Sequence, residues 1–253
     1  MKVLSLRLCG KMAHFRRYYS NSSALSYSVP PRTTITGILA GLLGYERDSY
    51  YERFDLDQCQ IALANAAPIK KSVQKLNLLM IKTLSDANGS QENHSQCATE
   101  LVLPQNIRTG MLDYHIWIHH QDPEMMERLI RITHPSSPVY FSQGIALALG
   151  TAWNAGWMEF GGVLEGEAAK ETRTRPVHSI VPARIVKEIA VPDNGEMNYR
   201  LVKEDLPLEF DADRRLTKRG KGNMIINLLE HPIHTQVEEV VKLENDTNIV
   251  WMQ

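Results

Sequence analysis

From Met1 to Gly44 the sequence contains no aspartate and no glutamate; the first acid is Glu46. Over the same stretch Lys2, Arg7, Lys11, Arg16, Arg17 and Arg32 are basic. The chain at large is balanced. Its 28 basic and 29 acidic residues leave a formal net charge of −1. No whole-molecule field therefore draws it to nucleic acid or membrane, and any polyanion site has to be a local concentration of charge.

Cysteine is scarce. The three present, Cys9, Cys59 and Cys97, are widely spaced and form no CxxC pair, which argues against a disulfide framework or a zinc knuckle. They read as buried or incidental thiols in a reducing compartment. Long apolar runs are missing too. The longest, residues 38–43, falls far below the roughly 20 residues of a membrane span. The opening "MKVLSLRLCGKMAHFRR" is too charged, and too short in its apolar part, to read as a signal peptide. The expectation is a cytoplasmic protein with no membrane partner. There is no GxGxxG or Walker sequence, no HExxH and no serine-elbow pattern. His231 and His234 in "HPIH" have no cysteine nearby and read as structural, so neither a metal nor a cofactor is expected.

What is present is uneven. The acid-free opening also holds His14, Phe15, Tyr18, Tyr19 and Tyr27, a mixture of cations, rings and hydroxyls that suits a polyanion. Farther on, "EDLPLEFDADRRLTKRGKGN" has an acidic half followed by a basic half, and its "KRGKGN" is either a phosphate cradle or a basic surface turn. With 253 residues and 43% hydrophobic content, the chain can bury a core as one large domain or two modest ones.

Periodicity supplies the scaffold. "VLSLRLCGKMAHF" alternates Leu4, Leu6 and Leu8 with Val3 and Ser5, as a strand with one buried face does. Asn21–Ser23 and Pro30–Pro31 mark a loop. Thr33 or Thr34 can cap "TTITGILAGLLG", whose Ile35, Ile38, Leu39, Leu42 and Leu43 share a helical face, with Gly44 as its C′ residue and Gly37 and Gly41 placed for close packing on a sheet. "QIALANAAPI" reads as a second strand. Residues 70–108 are too long and polar for a plain connection and read as an inserted hairpin or mobile excursion. "GMLDYHIWIHH" is a third strand, "DPEMMERLIRITHP" a helix capped by Asp122 with Pro123 at its first position, and "GIALALGTAW" a buried strand or short helix. This order is that of an α+β, ferredoxin-like (RRM-like) βαββαβ domain over residues 1–162. A smaller β-rich C-terminal lobe is expected over 163–253.

The stretch "GKMAHFRRYYSNSSALSYSVPPRTTITGILAGLLGYE" resembles the amino-terminal signature of the CRISPR-associated Cas-five family, within the RAMP superfamily and closest to its type I-B branch. A first strand ends in "FR", and a Ser/Thr-rich turn, "PPRT" and a glycine-containing helix ending "LLG" follow. Weaker similarity continues through "SSPVYFSQGIALALG", "EDLPLEFDADRR" and "NIVWM". The resemblance implies a non-catalytic subunit of a type I Cascade-type surveillance complex in antiviral defence. Such a subunit holds the 5′ handle of the CRISPR RNA, contacts the large and backbone subunits, and meets target DNA only through the complex. The family's RNA-contacting thumb would fall within residues 70–108.

On that reading Arg16, Arg17 and Arg32 suit phosphates, and Tyr18, Tyr19 or Tyr27 can stack on a base. Asn21, Ser22 and Ser23 can read a sugar hydroxyl or a base edge, and the free N–H groups at Thr33 and Thr34 suit a phosphate. Lys11 and His14 flank the cluster, and Lys70, Lys71, Lys75 and Arg108 are the candidate phosphate ligands of the thumb region. Each has a structural counterpart: at least one tyrosine and Phe15 read as core, and Lys2 and Arg7 as solvated strand residues. Two other readings stay open. One family branch, type I-C, cuts repeat RNA without metal through a tyrosine and a Lys-His pair. Tyr45 stands where that tyrosine would fall, but the pair is missing, leaving His14 and His119 as alternatives; His119 and His120, adjacent on a strand, point to opposite faces. The other reading is a protein-interaction subunit with a basic face.

Overall fold

The computed structural model describes residues 1–20, 24–78, 83–84, 95–136, 147–191 and 199–253. Three elements open the fold: β1 (Lys2–Gly10), β2 (Phe15–Arg16) and β3 (Ser26–Tyr27). Helix α1 (Arg32–Leu42), β4 (Cys59–Asn65), β5 (Ile69–Leu78), β6 (Ser95–Pro104), β7 (Leu112–His120), α2 (Pro123–Thr133) and β8 (Gly156–Lys170) follow. The remainder is built from short strands: β9 (Arg175–Val177), β10 (Val181–Pro182), β11 (Glu188–Ile189) and β12 (Leu201–Pro207). After them come β13 (Lys221–Asn227), β14 (Ile233–Gln236), β15 (Glu239–Leu243) and β16 (Asn248–Ile249). No helix among the described residues is long and apolar enough to cross a membrane.

The main sheet has the order β16-β15-β8-β1-β7-β4. Its last four strands, with α1 and α2 as the two crossovers, form the ferredoxin-like βαββαβ unit. Leu4, Leu6 and Leu8 of β1 and Tyr114, Ile116 and Ile118 of β7 are all buried in one cluster with Ile35 and Leu39 of α1 and Met125, Met126 and Leu129 of α2. That is the helix-facing side. The alternating positions Val3 and Trp117 face the other way, packed with Val241, Leu243, Ile249 and Trp251.

The fourth strand of the unit is β8, not "GIALALGTAW". Residues 137–146 lie outside the described residues, and Ala148 makes only an isolated bridge to Ala155. Gly162, where the sequence reading divides the chain, lies inside β8, and β15 and β16 extend the same sheet. Two small three-stranded sheets, β10-β13-β12 and β11-β14-β9, complete the C-terminal part. β5 and β6 pair from Ile69↔Pro104 to Leu78↔Ser95, so the insertion is a long antiparallel hairpin between the unit's second and third strands.

Helix ends repeat the division between what sequence does and does not dictate. Asp122 caps α2, its side chain accepting from the Glu124 N–H with Pro123 at the first position. Gly44 closes α1 at φ 79°, with the Gly44 N–H on Gly41 and the Tyr45 N–H on Ala40, the paired bonds of a Schellman end. Thr33 and Thr34 do not cap α1. The helix starts at Arg32, Pro31 is its N-cap, and no side chain bonds there. Close packing at Gly37 is against the Tyr50 hydroxyl, which an added Cβ would meet at 3.0 Å, rather than against the sheet.

Candidate nucleic-acid interface

The first strand stops at Gly10, sooner than its alternation suggests. Residues 13–20 and 24–27 then lie back over the base of the inserted hairpin. Ala13 exchanges both backbone hydrogen bonds with Val102, and Ala24 bonds Ala98 and Glu100. Phe15 pairs with Tyr27 and Arg16 with Ser26 to make the small β2–β3 ladder. His14 is buried, its backbone N–H on the Leu149 carbonyl and its Nδ1 2.8 Å from the Glu100 carbonyl. A carbonyl only accepts, so Nδ1 carries the proton in this arrangement.

These contacts leave a groove of about 470 Å³. Arg16, Tyr18 and Tyr27 come to it from the amino-terminal segment, Pro31, Thr33 and Thr34 from the start of α1, and Leu76 and Thr99 from the hairpin. Thr151 and Trp153 are contributed by the loop before β8, and Pro207 and Phe210 by the C-terminal part. Tyr18 and Trp153 are 49% and 61% exposed, large rings that the core does not claim. The first turn of α1 carries no acid and no side-chain cap. Contrary to the expectation from sequence, the Thr34 N–H is taken by the Pro31 carbonyl at 2.9 Å. That leaves to an anion the helix's partial positive charge and the Thr33 N–H, whose backbone acceptor is missing among the described residues. Among the described residues no carboxylate pairs with Arg16, whose guanidinium reaches only the Ser20 carbonyl, at 3.3 Å.

Other predicted cations are committed elsewhere. Arg32 is a correction: it is 2% exposed and donates to the carbonyls of Leu208, Phe54, Asp55 and Cys59. It ties α1 to β4 and the C-terminal part and has no face for a phosphate. Burial lowers its pKa. Arg17 is half-buried and bonds Glu204 at 3.0 Å, the Ser26 carbonyl and the Tyr19 hydroxyl. Burial works against its charge, and Glu204, Tyr19 and Glu100 more than offset that, so its pKa is raised. Lys71 lies between Glu100 and Glu204, 3.4 and 3.3 Å away. Two cations thus meet two carboxylates, and the cluster is locally neutral. Lys2 and Arg7 are likewise matched, with Glu127 and Asp113.

The remaining candidates divide by place. Tyr19 is 51% exposed and meets Tyr18 edge-on at 5.2 Å. Lys70 is partly buried and Lys75 exposed, both on β5. Lys11 and Arg108 are exposed at the turn beyond β6, where Lys11 bonds the Gly110 carbonyl, and neither lines the groove. Tyr27 is buried, as is Phe15. Asn21, Ser22 and Ser23 lie outside the described residues. Trp153, Thr151, Leu76 and Phe210 were not among the expected site residues; an indole in the turn-rich "GTAWNAG" was the signal available for Trp153.

Tyr45, His14 and His119 do not converge. Tyr45 follows the far end of α1, its hydroxyl accepting from Arg128 at 3.2 Å, roughly 16 Å from Thr34 by helix rise. His119 bonds the Lys2 carbonyl at the opposite end of β1 from Gly10, roughly 26 Å along a nine-residue strand. Nor is the sheet face that an RNA-recognition domain uses for stacking free here, since Trp117 is buried there against Trp251. Among the described residues no group of three or more His, Cys, Asp or Glu could hold a metal.

Comparison with known proteins agrees with this architecture. The family model described as CRISPR-associated protein (Cas_Cas5) matches residues 3–108, the span from β1 through the inserted hairpin. No curated protein matches. Among solved structures, a CRISPR protein from Archaeoglobus fulgidus is similar at TM-score 0.58 and 10% identity, with 98% of each chain covered. A chain of a CRISPR RNA-guided surveillance complex is similar at TM-score 0.50 and 13% identity, with 91% of each covered. At such identities the likeness shows a shared fold.

Proposed function

We infer that the chain is a CRISPR-associated protein of the Cas5 family, a subunit of an RNA-guided surveillance complex, and that its groove holds the 5′ handle of the CRISPR RNA. Residues 3–108 carry that family's pattern, and the fold is shared over nearly the whole chain with a CRISPR protein. One observation carries the RNA assignment. An arginine that pairs with no carboxylate among the described residues, an uncapped helix start and two exposed rings converge on one groove. Proteins hold single strands in this way, phosphates on cations and N–H groups, bases on aromatic faces.

Following the family resemblance, the subunit belongs to a type I complex, closest to type I-B. It bridges the large and backbone subunits, with target DNA met through the assembly. The chain acts as a scaffold and does not cut RNA, a reading supported by the separation of Tyr45, His14 and His119.

Titration of repeat RNA against salt tests the assignment. With Arg17, Arg32 and Lys71 committed inside the fold, about three phosphates remain to be neutralised by Arg16 and the thumb lysines. The log–log slope should then be near −2, at roughly −0.7 per contact on a single strand, and Arg16→Ala should flatten it by about one contact. A salt-independent response would instead favour the protein-interaction reading.

A further inference from the structure

Tyr27 is 1% exposed and lines the groove, yet its hydroxyl has no hydrogen-bond partner among the described residues. A buried hydroxyl left unpaired costs about 1–3 kcal/mol, so packing alone would be served better by phenylalanine at this position. The ring itself is well held. Phe15 is its ladder partner, and the Arg17 guanidinium lies 5.6 Å from the ring centroid.

The carboxylates of the Arg17 cluster are already engaged. Glu204 accepts from Arg17, Lys71 and both the amide and hydroxyl of Ser28. Glu100 accepts from the Ser26 amide and Lys71. The Tyr18 amide approaches the Tyr27 oxygen, but an amide can only give a proton. Among the described residues the phenolic proton is what lacks a partner.

We propose that the Tyr27 hydroxyl donates a hydrogen bond to an acceptor on the edge of a nucleobase inserted into the groove, making this a base-reading position. The proposal rests on the RNA-binding reading above. Phosphates have their own partners at Arg16 and the start of α1, and the base faces have Tyr18 and Trp153. A donor at the groove's buried side then meets the carbonyl oxygen or ring nitrogen that every base presents along its edge. Access requires a side chain of the groove wall to move. Tyr18, half-exposed and touching Tyr19 edge-on, is placed to do so.

The test compares wild type with Tyr27→Phe, using the full chain and repeat RNA in which each nucleotide in turn is made abasic. Tyr27→Phe should keep or raise the thermal midpoint, because the phenolic proton has no acceptor among the described residues and the approach of the Tyr18 amide is too weak to meet hydrogen-bond geometry. It should weaken intact RNA about tenfold, the effect of one hydrogen bond. At one abasic position the difference in affinity between wild type and Tyr27→Phe should disappear, since both proteins lose the stacked base there and only wild type loses the hydrogen bond as well. Equal affinity of both proteins for intact RNA, or a lowered midpoint in the Phe variant, would overturn the proposal and leave the RNA-binding reading standing. A loss that persists through every abasic RNA would place the acceptor on the backbone and overturn it as well. Failure of the wild-type chain to bind repeat RNA would overturn both.

Discussion

Arg17 and Glu204 stand 187 residues apart in sequence and are joined at 3.0 Å, with Lys71 on the same carboxylate. The acid-free opening thus receives its counter-charge from β12, and a residue that composition marks as a phosphate ligand is held within the fold. Arg17→Ala should therefore destabilise the chain by about 1–3 kcal/mol, since it strips a charged hydrogen bond from a buried carboxylate. Arg16→Ala should leave the unfolding midpoint within error while weakening repeat RNA. Chemical denaturation of the two single variants separates them.

The ferredoxin-like unit was legible because local pattern and burial agree in it. Leu4, Leu6 and Leu8 alternate in β1, Asp122 and Pro123 begin α2, and Gly44 ends α1, each a rule that needs only neighbours in the chain. The site was half legible. Arg16, Tyr18, Thr33 and Thr34, scattered candidates in the sequence, lie together on one groove. Arg32, Arg17 and Lys71 do not serve as expected, because their partners (Leu208, Glu204, Glu100) lie far off in sequence. A count of acids within the first 44 residues could not detect them. Trp153 was missed because its apolar neighbours "GIALALG" suggested a buried element and drew it into the core reading.

The loop bearing Trp153 depends on one backbone conformation. Gly150 has φ +92°, and a Cβ there would collide with the His14 carbonyl. A side chain at such a φ costs roughly 1–2 kcal/mol before any clash. Gly150→Ala should lower stability by about 2 kcal/mol or more and weaken repeat RNA by displacing Trp153. The thermal midpoint and an RNA titration check the two effects together.

His115 gives the fold a pH dependence of definite sign. Burial, with Arg7 and His178 adding to it, pushes its pKa down from 6.5 to about 4, and its Nε2 lies 2.7 Å from the Ser5 hydroxyl. Between those two values the unfolded chain binds a proton that the folded chain does not. Stability therefore falls as pH drops from 6.5 toward 4, and this contribution is constant above 6.5. His178, also lowered chiefly by burial, acts in the same direction. The midpoint should be lower near pH 5 than near pH 7, and His115→Gln should reduce that difference.

Separation of the candidate catalytic groups leads to a further expectation. Metal-independent cleavage needs a proton acceptor and a proton donor at one phosphate, and His14, Tyr45 and His119 each serve a different part of the fold. Repeat RNA incubated with the chain in EDTA should stay intact, with no rate that depends on any of the three. Cleavage abolished by His14→Ala or Tyr45→Phe would reverse that assignment.

Photo-crosslinking tests the groove most directly. Repeat RNA carrying 4-thiouridine at its 5′ end would be irradiated with the chain and the adducts located by mass spectrometry. The account predicts adducts on Tyr18, Trp153 or Phe210 that Arg16→Ala diminishes. Adducts confined to the outer sheet face at Trp157, or to the C-terminal strands, would contradict it.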